Sequence, residues 1–206
     1  MCVTDIRLTR RGRFAVYGDG EFCCTLHPEV YARSHLQVGD VIEPSRLGAL
    51  CYETEEKLLR ERALNLLSAR EYTRRQLCDK LVAKGAEEEM AAAAASRMEE
   101  LGLLDDAGYA CRAAADMARL KGYAPRRITQ ELRRRGLSEE DIAAALDSLE
   151  EENAQERIAQ ILLSRYARLW EDEKVRRRAV AALQRMGYSY EDIRFVAAHI
   201  EDFIEP

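Results

Sequence analysis

Three short, largely apolar runs lie within the first 27 residues of the chain, at positions 6–9, 14–17 and 22–26, and Arg7 is their one charged residue. The runs contain β-branched and aromatic residues and are separated by turn-forming residues, as strands of a small sheet are. Asp19 and Gly20 stand between the second and third runs, and both tolerate the positive φ that a two-residue hairpin turn requires. The pattern therefore predicts a small antiparallel sheet at the start of the chain.

Proline and glycine residues after this sheet indicate where the chain changes from strand to helix. A short helix is expected to start after Pro28, followed by a turn at Gly39 and Asp40. A boundary is expected near Pro44 and Ser45, and from about residue 54 onward the apolar spacing is helical throughout.

The helical part of the chain repeats itself. Gly85, Gly136 and Gly187 lie 51 residues apart, which is a period typical of repeat proteins. Each glycine follows two apolar residues spaced four apart, as one face of a helix requires. These pairs are Leu77 and Leu81, Ile128 and Leu132, and Ala179 and Leu183. The sequence thus predicts a mainly α protein in which a tandem array of three three-helix repeats follows a small antiparallel β leader.

The predicted boundaries follow from this period. The leader covers residues 1–50, and the three repeats cover 51–104, 105–151 and 152–206. In each repeat the first helix is long, the second is short and basic, and the third begins with acidic residues.

Several residues predict where the helices begin. Asp105 and Pro125 suit the N-terminal ends of the first and second helices of repeat two. Ser138 and Ser189 offer a side-chain oxygen to the free N–H groups of the third helices. Glu87 stands at this position in repeat one and predicts a weaker cap.

Composition narrows the classes of function. The 206 residues carry a formal charge of −5, six cysteines without a CxxC pair and three histidines without metal-ligand spacing. Neither a glycine-rich phosphate loop nor a nucleophile elbow is present, so an enzyme, a cofactor and a metal site are not expected. The longest wholly apolar run spans residues 90–95, and the N-terminus lacks the apolar core of a signal peptide, so a cytoplasmic protein without membrane contact is expected.

The basic second helices form the candidate binding surface. The column of Arg75, Arg126 and Arg177 is filled in all three repeats, and further cations stand beside it. The full candidate set comprises Arg74, Arg75, Lys84, Arg126, Arg127, Arg133, Arg134, Arg176, Arg177 and Arg178. Guanidinium groups suit phosphates and carboxylates, so either a nucleic-acid backbone or an acidic protein surface could be the target.

A helix-turn-helix is a competing interpretation of the segment around Gly136 and Ser138. Its recognition helix would present Glu139 and Glu140 to the major groove, where the phosphates would repel them. The sign of charge disfavours sequence-specific readout and directs attention to the preceding basic helix.

Three segments together resemble the RecX family of regulatory proteins. They are REYTRRQL at residues 70–77, LGLLDD at 101–106 and KGYAPRRI at 121–128, and the likeness extends over about residues 60 to 200. The order of the segments within a triple repeat is specific, whereas any one of them alone is weak. Ala124 stands where the family often has glycine, and Gly108 is expected to interrupt the helix that follows Asp105.

The resemblance implies an elongated, curved monomer that lies in the groove of the RecA filament on single-stranded DNA. Members of the family oppose filament growth and so lower strand exchange, ATPase and coprotease activity. The candidate cations would then face the anionic groove. Two alternatives stay open: a nucleic-acid-binding helical module that acts without RecA, and a passive helical scaffold.

Overall fold

A computed structural model describes residues 1–149, 153–166 and 172–203 of the chain. It is mainly α-helical with one three-stranded antiparallel sheet at the N-terminus, as the sequence predicts. The chain divides into two compact units. One contains Met1–Tyr72 and Leu77–Leu104, and the other contains Thr73–Gln76 and the described residues from Asp105 onward.

The N-terminal sheet has its strands in chain order. Strand β1 is Val3–Leu8, β2 is Phe14–Gly18 and β3 is Glu21–Leu26. Asp19 and Gly20 have φ values of 50° and 89° and link β2 to β3, with Gly18 paired to Glu21. The two-residue hairpin predicted from Asp-Gly is therefore confirmed.

Two helices complete the leader. Helix α1 is Pro28–Ser34, and its prediction after Pro28 is confirmed. Helix α2 is Pro44–Leu67, so it starts at the expected boundary and continues unbroken through positions 50 and 51. Helices and sheet close over one apolar core, which consists of Val3, Val16, Leu26, Val30, Leu36, Ile42 and Leu50.

Eight further α-helices and one short 3-10 helix follow in the described residues, in the order that the repeat predicts. The first group consists of α2, α3 (Arg74–Val82) and α4 (Glu88–Glu100); the second of α5 (Asp106–Lys121), α6 (Pro125–Arg134) and α7 (Glu139–Asp147); the third of α8 (Ala154–Tyr166), α9 (Glu173–Arg185), α10 (Tyr190–Ala198) and the short 3-10 helix Ile200–Phe203. Each group buries its own cluster of apolar side chains.

The predicted helix starts are confirmed where side chains cap them. Asp105 accepts a hydrogen bond from the backbone N–H of Gly108 at 2.9 Å. Ser138 and Ser189 each accept one from the N–H three residues further on, at 3.0 Å. Glu87 makes no such bond, as expected. The expectation that Gly108 interrupts α5 is wrong, because the helix runs through it and a Cβ there would lie 2.0 Å from Asp105 Oδ2.

The paired apolar residues of the second helices form the buried face of each repeat. Every member of the three pairs is 0% exposed, from Leu77 and Leu81 in α3 to Ala179 and Leu183 in α9. Alanines supply much of the facing surface, and Ala91, Ala95, Ala110, Ala114 and Ala145 are all 0% exposed. Small side chains let neighbouring helices approach closely, which leaves no room for long side chains between them. The basic side chains of the second helices therefore lie on the opposite, outer face of each helix.

Within the described residues, no helix combines the length and apolar character needed to cross a membrane. The same part of the chain brings no three histidine, cysteine or acidic side chains into a group that could hold a metal ion.

Candidate partner-binding surface

The candidate cations other than Lys84, which follows α3, lie on the faces of α3, α6 and α9 that the apolar pairs leave free. Most of them are exposed, whereas Arg74 and Arg127 are half-buried. The exposed members are Arg75, Lys84, Arg126, Arg133, Arg134, Arg176, Arg177 and Arg178. None of the predicted residues is therefore too deeply buried to contact a partner.

Helix α6 carries the densest group of charges, and one carboxylate serves two of its arginines. Arg127 Nη2 lies 2.6 Å from Glu131 Oε1, and Arg134 Nη2 lies 3.0 Å from Glu131 Oε2. The Glu131 side chain is only 12% exposed, so this acid sits beneath the arginines. Because Arg126 has no carboxylate within 4 Å among the described residues, the exposed side of α6 stays positive.

Arg133 is held by an acid of the next helix. Its Nε and Nη2 each lie 2.6 Å from a carboxylate oxygen of Glu139, the first residue of α7. The hydrogen bonds lower the pKa of Glu139 and raise that of Arg133. A forked pair of this kind is strong for a surface contact, so a partner's anion would have to compete with Glu139 for Arg133.

Helix α9 presents three consecutive arginines to solvent. Arg177 forms an ion pair with Glu173 one turn earlier, and its side chain is 77% exposed. Arg176 and Arg178 have no carboxylate within 4 Å in the described part of the chain. An exposed pair within one helix is weak, so all three guanidinium groups remain available to an anion.

The start of α3 is anchored to the second repeat. The Thr73 hydroxyl donates to the Arg135 carbonyl at 2.6 Å, and the Arg74 backbone N–H donates to Asp106 Oδ1 at 2.8 Å. Arg75 lies over Gly136, where an added Cβ would come within 2.2 Å of the arginine Cδ. These contacts fix Arg74 and Arg75 relative to the second repeat.

The same junction recurs 51 residues further along the chain. The Ala124 backbone N–H donates to the Met186 carbonyl at 2.9 Å, at positions that correspond to Thr73 and Arg135. The Tyr188 hydroxyl adds a bond to the Gly122 carbonyl at 3.0 Å. The carbonyl that ends a later basic helix therefore accepts a hydrogen bond from the residue just before α3 and from the residue just before α6.

A cavity of about 390 Å³ lies at this later junction. It is lined by Arg126, Arg127, Gln130, Gln184, Arg185, Gly187, Tyr188, Ser189 and Tyr190. Two of the predicted cations, Arg126 and Arg127, meet there, whereas Arg185 and Tyr190 are absent from the candidate set. Arg185 adds to the basic residues of α9 already in the sequence, and Tyr190 stands where repeat two has Glu139.

Lys84 belongs to the compact unit that contains the leader. It follows α3, its side chain is exposed, and no carboxylate of the described residues lies within 4 Å of it. The other candidate cations belong to the other compact unit, so the place of Lys84 in the binding surface stays a prediction.

Two family models match the repeats described above. The RecX first three-helix domain matches residues 60–98, and the RecX second three-helix domain matches residues 105–146. The regulatory protein RecX of Stenotrophomonas maltophilia strain R551-3 is 38% identical over 141 residues, which are 65% of this chain and 82% of that protein. The chain belongs to the RecX family. The resemblance found in the sequence is thereby confirmed.

Other RecX proteins and structures agree with this assignment. Regulatory protein RecX of Mycobacterium sp. strain JLS is 33% identical over 132 residues, covering 61% of this chain and 72% of the relative. A crystal structure of a regulatory protein RecX superposes with a TM-score of 0.67 at 23% identity, over 98% of both chains. RecX from Lactobacillus salivarius superposes with a TM-score of 0.57 at 21% identity, over 71% of this chain and 96% of that one. At these identities the two superpositions establish the fold.

The matched RecX domains contain most of the candidate cations. Arg74, Arg75 and Lys84 lie in the first domain, and the arginines of α6 lie in the second. Arg176, Arg177 and Arg178 lie beyond both matched segments, and their link to the surface is the 51-residue period.

Proposed function

We propose that this RecX protein restrains the RecA recombinase by binding in the groove of the RecA filament on single-stranded DNA. Bound there, it limits filament growth and thereby lowers strand exchange, ATPase and coprotease activity. The chain performs no catalysis of its own, and it acts in the cytoplasm as a monomer.

The observation that carries the proposal is the recurrence of exposed arginines on the second helices. A protein with a formal charge of −5 would be repelled by an anionic polymer unless its positive groups were gathered on one set of elements. Arg75, Arg126, Arg176 and Arg178 have no carboxylate within 4 Å in the described residues, so they can meet a partner without first breaking an ion pair.

The ion-paired cations make a different contribution. Arg133 is paired with Glu139, and Arg177 is paired with Glu173. Binding of a partner's anion replaces these ion pairs, so each arginine contributes only the difference in free energy between the new pair and the old one. Exposed charges at the edge of an interface chiefly set the rate of association and the correct orientation. We therefore assign most of the binding free energy to the arginines without an ion pair, Arg75, Arg126, Arg176 and Arg178. The ion-paired Arg133 and Arg177 chiefly speed association and orient the chain.

The proposal is tested by the single-strand-dependent ATPase of the cognate RecA with substoichiometric amounts of this chain. We expect ATP hydrolysis to fall, because one chain seated in a filament impedes the addition of many subunits. An unchanged ATPase rate over the whole range of added chain would overturn the proposal and leave a passive helical scaffold as the better description.

A further inference from the structure

The cavity between α6, α9 and α10 has the size of a small-ligand site and a polar lining. Its volume of about 390 Å³ falls in the range of pockets that hold small molecules. All the lining residues belong to one compact unit, and two junction bonds, from Ala124 to Met186 and from Tyr188 to Gly122, brace its walls. The site is therefore part of the packed junction between repeats two and three.

The charge of the lining is positive. Arg126, Arg127 and Arg185 contribute three guanidinium groups, and none of the described residues that line the cavity carries a carboxylate. The Arg127 Nε is buried and finds no hydrogen-bond acceptor in the described structure, although its Nη2 is bound to Glu131. A buried donor without an acceptor is costly, so an anion that reached this group would be stabilised.

The corresponding positions one repeat earlier have a different chemistry. Asp79 stands where α6 has Gln130, and Glu139 stands where α10 has Tyr190. Glu139 is moreover bound to Arg133 through two hydrogen bonds. With Gln130 and Tyr190 in place of these acids, the junction between repeats two and three lacks the carboxylates that would repel an anion.

The replacement for Glu139 is an exposed aromatic ring. Tyr190 is 60% exposed, whereas the neighbouring Tyr188 is only 7% exposed and uses its hydroxyl within the fold. An exposed ring beside guanidinium groups is the combination that holds a base by stacking while its phosphate is neutralised. Gln130 and Gln184 supply amides that can donate to and accept from a base edge.

We propose that this cavity binds a nucleotide unit, with the phosphate between Arg126, Arg127 and Arg185 and the base against Tyr190. The inference deepens the proposed function, because Arg126 and Arg127 belong to both surfaces. A strand of single-stranded nucleic acid and a free nucleotide present the same chemistry to this site. An acidic protein segment fits it less well, since carboxylates use the arginines but gain little from the ring of Tyr190.

The test is a fluorescence anisotropy titration of the full chain with a short fluorescein-labelled oligothymidylate, in the absence of any recombinase. Tyr190→Ala should weaken binding about tenfold and leave the salt dependence unchanged, because it removes a stacking contact. Arg185→Ala should weaken binding and make the slope of log affinity against log salt shallower by about 0.7, because it removes one phosphate contact. Unlabelled ATP and unlabelled oligothymidylate serve as competitors, and competition by ATP identifies a free nucleotide as a ligand.

Two matched variants serve as controls. Tyr52→Ala removes a ring that is 56% exposed on α2, and Arg11→Ala removes one exposed charge from the turn between β1 and β2. Both should bind the oligonucleotide as the unaltered chain does, and circular dichroism should show equal helicity in all four variants.

Three results would overturn the inference. They are a failure of the unaltered chain to bind oligothymidylate, binding that neither Tyr190→Ala nor Arg185→Ala changes, and binding of a glutamate-rich peptide in its place that depends on Arg185 alone. Because RecA is absent from this titration, none of these results bears on ATPase inhibition. Conversely, a chain that binds the oligonucleotide but never lowers the ATPase rate contradicts the proposed function alone.

Discussion

The backbone of Arg127 lies directly against Gly187. A Cβ added to Gly187 would come within 2.8 Å of the Arg127 backbone N and 2.7 Å of its Cβ, and Gly187 has a φ of +97°. We expect Gly187→Ala to lower the free energy of unfolding by roughly 2 to 4 kcal/mol, from left-handed strain together with the overpacked junction. Urea unfolding followed by circular dichroism measures the change.

Gly85→Ala is the matched control for this prediction. Gly85 has a similar φ of +93° but nothing within 4 Å of the added Cβ, so only the backbone strain of about 1 to 2 kcal/mol is expected. Equal losses of stability in the two variants would contradict the close approach of Arg127 to Gly187.

The ion pair of Arg133 and Glu139 predicts a pH effect. The two hydrogen bonds from Arg133 lower the pKa of Glu139 from its usual 4.5. A carboxylate whose pKa is lowered in the folded state stabilises the fold at every pH above its usual pKa. This contribution is lost as the pH falls through the lowered pKa. Arg133→Gln should return the pKa of Glu139 toward 4.5, which a carbon-detected NMR titration of the carboxyl group measures.

Arg126→Gln is the control for that titration. It removes a cation of the same helix that makes no contact with Glu139, so the pKa of Glu139 should remain low. If Arg133→Gln left the pKa of Glu139 where it was, Glu139 would not be held by Arg133 in solution.

The leader predicts a difference in reactivity between two cysteines. Burial and a hydrogen bond with Cys51 raise the pKa of Cys24 to about 12, whereas Cys2 is exposed. Since the thiolate is the nucleophile, iodoacetamide at mildly alkaline pH should alkylate Cys24 at least about a hundredfold more slowly than Cys2. Peptide mass spectrometry of the native chain measures both rates. Similar rates would mean that the leader core opens readily or that Cys24 is not buried.

Local rules predicted most of the helices and the hairpin. Asp19 and Gly20 determine the turn between β2 and β3 through their backbone preferences, and Ser138 and Ser189 mark helix starts through bonds to N–H groups three residues away. The 51-residue spacing of the glycines predicted that the helices occur in three successive repeats. These signals lie within a few residues of the structure they determine, so one sequence reveals them.

The arrangement of the site was less predictable, because it depends on contacts between distant residues. The pairing of Arg133 with Glu139 requires the turn between α6 and α7 to bring the two side chains together. The hydrogen bond from the Thr73 hydroxyl to the Arg135 carbonyl connects residues 62 positions apart, and the cavity beside Tyr190 forms only where α6 meets α9 and α10. Periodicity identifies which residues are alike, but it does not determine which of them meet.

In the proposed function, exposed arginines of the second helices contact the RecA filament, and binding of the labelled chain to preformed filaments at moderate salt measures that contact. The double variant Arg126→Glu and Arg177→Glu should bind at least about tenfold more weakly, because like charges then face the anionic groove. Arg11→Glu with Arg119→Glu is the control of equal charge change, and the exposure of the Arg119 side chain, 78%, matches the 77% of Arg177. We predict that the control retains full affinity and that all variants keep their helicity; equal affinity of the Arg126 and Arg177 double variant and the unaltered chain would mean that these arginines do not contact the filament.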